Sequence, residues 1–94
     1  MNTVLEKVRS ALRIKHNNLD NELRDEIAAC QIDLNLAGVE KTDPEDYLIN
    51  EAIKLYCRAK HNFEGEGDRY QKNYEKLKNA LSLSSKYGGD TSEG

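Results

Sequence analysis

Leu19, Leu23, Ile27, Cys30 and Leu34 stand four, four, three and four positions apart. On a helix of 3.6 residues per turn, that spacing draws one continuous apolar stripe. Similar stripes recur along the chain. Leu5, Val8 and Leu12 form a short one, with Ala11 beside them. Leu48, Ile49, Ala52, Ile53, Tyr56, Cys57 and Ala59 form the broadest, so that helix is expected at the centre. Tyr70, Tyr74, Leu77 and Leu81 form the last. The chain therefore reads as all-α, a compact bundle of about four helices.

End signals refine the boundaries. Thr3 and Glu6 have the form of a capping box at the start of the first helix. The second helix is expected from Leu19 to Ala37, with Asn18 as its cap and Gly38 as its stop. Asp20 and Glu22 fall in its first turn, where the helix dipole favours negative charge. The third is expected to open with Asp43 as cap and Pro44 in the first helical position, and to end near Asn62. The fourth is expected from Asp68 to Leu81. Residues 83–94 are rich in Gly, Ser, Asp and Thr, with few apolar groups to offset ordering entropy. They read as a flexible polar tail behind a helical domain at 1–82.

With 94 residues there is room for one domain and one core. Charged residues make up 33% of the chain, against about a quarter in ordinary soluble proteins. There is no Trp, one Phe and one Pro. A large pocket-bearing enzyme and a two-layer β-sandwich both fit this composition poorly. Cys30 and Cys57 match no zinc spacing and are too few for a disulfide scaffold, so free, partly buried thiols are expected. Glu6, Lys7 and Arg9 interrupt the apolar run of roughly 7–15 residues that a secretory signal needs. No run approaches the ~20 apolar residues of a membrane span. The expectation is a soluble chain made in the cytoplasm.

The net charge of −3 hides an asymmetry. Residues 1–17 carry Lys7, Arg9, Arg13 and Lys15 against Glu6 alone. Residues 18–46 carry nine acids, Asp25 and Glu26 among them, against Arg24 and Lys41. The charges either solvate one surface or face each other across contacts between subunits, where they would steer association and fix register. On that second reading Lys7, Arg9 and Arg13 meet Asp25 and Glu26.

Catalytic and ligand-binding motifs are weak. Glu64, Glu66 and Asp68 alternate as in a calcium loop, and Glu75 falls at the twelfth position. Arg69 stands where that loop requires glycine, so a solvated acidic turn is the better reading. His16 and His61 lie in no metal-binding pattern. No catalytic residue, cofactor or metal is expected. A small helix-turn-helix DNA reader is the competing function, with helices two and three as its pair. Its recognition helix would enter the groove with Asp43, Glu45 and Asp46 foremost, against the phosphate charge. Tyr56, Tyr70 and Tyr74 read as core edge with hydroxyls reaching water. Tyr87, alone beside Lys86 in the tail, reads as an anchor for a partner.

Taken in order, these pieces resemble a known family. They are the short helix VLEKVRSALRI, the acidic helix LDNELRDEIAACQIDLNLAGV, the central DYLINEAIKLYCRAKHNF and the closing RYQKNYEKLKNALSLSSKY. The chain resembles the small head–tail connector proteins of long-tailed bacteriophages, also described as head-completion or DNA-packaging adaptors. The resemblance implies an all-helical structural protein of the virion, made in the host bacterial cytoplasm and without enzymatic activity. It implies a homo-oligomeric ring of about a dozen subunits in the virion. That ring would dock beneath the portal protein, meet a tail-side connector, and extend the channel through which double-stranded DNA passes unbound. It also implies that the C-terminal segment engages the portal, which points to Leu83, Lys86 and Tyr87.

Overall fold

A computed structural model of the protein describes residues 3–88. Four helices follow one another: α1 (Val4–Ala11), α2 (Asp20–Leu36), α3 (Tyr47–Lys60) and α4 (Gly67–Leu83). A single 3-10 turn, Phe63–Gly65, separates the last two. Among the described residues there is no strand, only an isolated antiparallel bridge between Val39 and Gly88. The all-α fold class expected from the stripes is the one observed.

The N-terminal capping box forms as its sequence predicts. The Glu6 amide donates to Thr3 Oγ1 at 3.1 Å, and the Thr3 amide donates to Glu6 Oε1 at 3.0 Å. The other end of α1 is closed from α3, where Arg58 Nε donates to the Ala11 carbonyl at 3.2 Å. The Arg58 guanidinium also lies 5.5 Å from the ring centroids of both Phe63 and Tyr70. A cation over an aromatic face is attracted by the ring quadrupole, so one side chain ties α1, α3 and α4 together.

Helix α2 begins without the expected cap. Leu19 occupies the cap position and makes no side-chain bond to the helix. Asn18 instead donates its amide to His16 Nδ1 at 3.2 Å, inside the preceding turn. The C-terminal stop is as expected. Gly38 has φ +103°, a conformation that costs glycine little and other residues more. The Val39 amide reaches back to the Leu34 carbonyl at 2.9 Å and the Gly38 amide to Asn35 at 3.0 Å. This pair of bonds defines a Schellman motif, and Val39 is fully buried beneath it.

Helix α3 starts three residues later than its sequence signals suggest. Asp43 does accept a bond, from the Glu45 amide at 2.9 Å, but this only shapes a turn. The cap is Asp46, whose Oδ2 accepts from the Leu48 and Ile49 amides at 3.0 and 3.2 Å. Pro44 lies in the turn, outside the helix. The connector between α2 and α3 is therefore ten residues long, 37–46. A helix-turn-helix pair is joined by about three or four residues, so α2 and α3 do not form one.

Helix α3 packs against each of the other three helices and most extensively against α4. Ile49, Ala52, Ile53 and Cys57 are fully buried at its centre. They meet Val8 of α1, Leu23, Cys30 and Leu34 of α2, and Tyr74 and Leu81 of α4 in one core. The Tyr74 ring meets Tyr56 edge-on at 5.3 Å, a favoured aromatic geometry.

The expected boundary at Ser82 falls inside α4, which runs to Leu83. Residues 84–88 then turn back onto the domain. The Tyr87 and Gly88 amides return to the Ser84 carbonyl at 3.2 and 2.7 Å. Tyr87 is only 8% exposed and belongs to the core. The remainder of the expected tail, 89–94, lies outside the described residues.

The burial pattern predicts the effect of truncating the central helix. Replacing fully buried Ile53 by Ala should cost about 3 kcal/mol, the usual range for such a cavity. Urea denaturation followed by circular dichroism measures it. A loss below about 1 kcal/mol would contradict the central place of α3.

Candidate interaction surfaces

The C-terminal residues form a strap across the α2–α3 connector. The Glu40 and Lys41 amides both donate to the Tyr87 carbonyl, at 2.8 and 3.2 Å. The Tyr87 hydroxyl donates to the Asp46 carboxylate, 2.9 Å from Oδ2 and 3.1 Å from Oδ1. Asp46 thus caps α3 and anchors the strap with one carboxylate. Gly88 fits because a Cβ there would stand 2.7 Å from the Ser82 carbonyl oxygen. Desolvation pushes the Asp46 carboxyl up, but the bonds from Tyr87, Ile49 and Leu48, with Lys86 nearby, outweigh it. The group sits below its usual value, and the Tyr87 hydroxyl, held by that carboxylate, sits above its own.

A second polar tie spans α2 and α4. Tyr74, expected to reach water, is 1% exposed and donates its hydroxyl to Asp33 Oδ2 at 2.7 Å. Lys78 Nζ reaches the same oxygen at 2.9 Å. The Tyr74 bond, outweighing desolvation, and the Lys78 ammonium hold the Asp33 carboxyl below its usual value. Cys30 Sγ lies 3.8 Å from the Tyr74 hydroxyl. Burial pushes the Cys30 thiol up to about 12, and burial beside Glu26 raises Cys57 as well. Both thiols are free and buried. Raised in this way they are poor nucleophiles and poor metal ligands.

A third tie joins α2 to the end of α3, where His61 Nε2 lies 2.8 Å from Glu26 Oε1. Glu22 brings a further carboxylate, so three donor atoms lie within 4.8 Å of one another. The His61–Glu26 bond already accounts for two of them, and Glu22 is exposed. The cluster acts as a structural tie between helices.

The residues expected at contacts fall into different situations. Leu83 is 79% exposed at the end of α4. Lys86 is exposed, with its ammonium 5.7 Å from the Tyr87 ring centroid. Tyr87 is turned inward, with its hydroxyl on Asp46. Arg9 pairs within the chain with Asp20 at 3.4 Å, and Arg13 with Glu64 at 3.2 Å. Glu26 is engaged by His61. Among the described residues, Lys7 and Asp25 have no ion-pair partner, and Asp25 is exposed. Part of the opposed charge of the first two helices is thus satisfied inside one subunit.

Other surface residues were not signalled as contacts. Ile32, Leu36 and Tyr47 are 61%, 82% and 73% exposed. Their signal is present in the sequence: Ile32 and Leu36 lie four apart and off the α2 stripe. No helix of the described residues is long and apolar enough to cross a membrane.

The sequence matches the family described as phage connector protein over residues 4–88. The chain belongs to the phage connector protein family. The match spans all four helices and extends through Gly88. Neither the curated proteins nor the solved structures provide a match. Membership supports a structural connector role in a phage particle, in contact with other phage head or tail proteins.

The strap makes stability depend on pH with a definite sign. A carboxyl lowered on folding contributes fully above the ordinary carboxylate range and loses that contribution as pH falls through the folded value. Tyr87→Phe should lower the melting temperature at neutral pH. The gap to wild type should close as acid protonates Asp46. It should also narrow in alkali, because a hydroxyl raised on folding loses its contribution as pH rises through the folded value. Thermal melts across that range test this, and a gap independent of pH would exclude the Asp46 bond as its cause.

Proposed function

We propose that this connector assembles as a homo-oligomeric ring beneath the portal of a tailed phage, completes the head after DNA packaging, and extends the DNA channel toward the tail. The observation that carries this reading is the family match across all four helices. Surface physics supports it. A subunit of net charge −3 offers translocating DNA little to bind. Repeated weak contacts around a ring add up through multivalency. No catalytic step is required.

The portal-facing surface is proposed at the strapped end, where the C-terminal segment meets the start of α3. Leu83 precedes the strap and Tyr47 and Leu48 follow its Asp46 anchor, all exposed apolar side chains. Lys86 adds a cation beside them. Tyr87 holds this segment against the domain, so docking would not require the ordering of residues 84–88.

Phage deficient in this protein should accumulate heads that lose packaged DNA and fail to join tails, and expression of the wild-type chain should restore them. Restoration of normal particles without it would end the connector reading. Leu83→Asp should leave the helical circular dichroism signal unchanged and weaken attachment to isolated portal at least tenfold. Unaltered attachment would place the portal surface elsewhere.

A further inference from the structure

The outward side of α2 is a second apolar surface. Asp25, Ala28, Ala29, Ile32 and Leu36 recur at helical spacing, on the side opposite Leu23, Ile27, Cys30 and Leu34. All five are exposed, with Ile32 at 61% and Leu36 at 82%. The stripe begins with a carboxylate and continues with small and then large apolar side chains. The core of this chain leaves it uncovered.

A surface of the opposite character lies along α1 and the turn after it. A groove of about 400 Å³ is lined by Glu6, Arg9, Ser10, Arg13, Ile14 and Lys15. Ile14 gives it an apolar element, and long basic side chains present apolar stems to such a groove. Their charged ends would then stand around its rim. Arg13 and Lys15 are exposed.

We infer that the outward face of α2 on one copy packs into the α1 groove of a second copy. Charge decides between the possible pairings. Helix α2 carries five acids against Arg24, whereas α1 and its following turn carry four bases against Glu6. Two α2 faces laid together would oppose like charges and set Asp25 against apolar side chains. An α2 face laid on α1 brings Asp25 toward Lys15 and toward Arg13, whose pair with Glu64 is itself exposed to solvent, and leaves Ile32 and Leu36 to fill the apolar part. The two surfaces differ, so the contact is head-to-tail. A contact of that kind forms a closed ring if its rotation closes. The inference deepens the ring reading above and rests on it.

The experiment uses the full chain and sedimentation velocity over a concentration series. Wild type should associate, and Ile32→Asp should raise the dissociation concentration at least tenfold while leaving the circular dichroism melt unchanged. Asp25→Lys alone should associate at least tenfold more weakly, as should the double variant R13E/K15E alone. An equimolar mixture of these two variants should regain association, because each α2 face then meets a complementary α1 groove on the other. A wild-type chain that stays monomeric overturns the contact. So does association insensitive to Ile32→Asp, or a mixture that fails to recover. If R13E/K15E associates like wild type while Ile32→Asp does not, α2 pairs with α2 and the inference is wrong. Complementation of deficient phage is scored separately. A variant that loses this contact in solution but still completes heads overturns the inference and leaves the connector role standing.

Discussion

The fold depends on one shared helix. In 94 residues no pair of helices can build a core of its own, so three of them use α3. That requires α3 to carry a broad apolar face, and Ile49, Ala52, Ile53 and Cys57 are fully buried there. Glu51 and Lys54 pair with each other in the middle of the helix. The polar contacts that fasten it to distant parts of the chain lie near its ends. Asp46 at the start takes two backbone amides and the Tyr87 hydroxyl. His61 at the finish takes Glu26, and Arg58 one turn earlier takes the end of α1.

The helices themselves were legible because periodicity is a local property. The capping box, the α2 stripe and the Gly38 stop each lie within a few residues of one another, and each appears where it was read. The start of α3 was less legible for an instructive reason. Asp43-Pro44 and Asp46 are competing start signals only three residues apart. Asp46 prevails in a structure where it also receives Tyr87, 41 residues away. The same long-range bond explains why a Gly- and Ser-rich segment, read as tail, is partly packed. The segment is poor in apolar groups, but the Tyr87 hydroxyl on Asp46 and the Tyr87 carbonyl on the Glu40 and Lys41 amides fasten it.

The site residues were harder to read than the fold because charge does not declare its partner. Arg9, Arg13 and Glu26 look alike on paper to Lys7 and Asp25. Folding engages the first three within the chain and leaves the other two without an ion-pair partner among the described residues. Tyr74 shows the same effect. Its position in the stripe was clear, but its hydroxyl is directed to Asp33 on a helix 41 residues earlier. Proximity of that kind is created by the fold and has no local signature.

What remains exposed then acquires meaning by subtraction. Once the core and the three polar ties are assigned, the large apolar side chains left in solvent are Ile32, Leu36, Tyr47, Leu48 and Leu83. They do not scatter singly, as incidental surface hydrophobics do. Ile32 and Leu36 lie on the back of α2, while Tyr47, Leu48 and Leu83 flank the strap. A protein that only had to stay folded would gain nothing from either group. A protein that must touch a neighbouring copy on one side and a different protein at one end needs two such surfaces. They must be kept apart so that filling one does not block the other. Asp46 and Tyr87 hold the C-terminal segment at the connector between α2 and α3. Ile32 and Leu36 along α2, and Tyr47, Leu48 and Leu83 beside the strap, are the exposed apolar groups that the proposed ring would use.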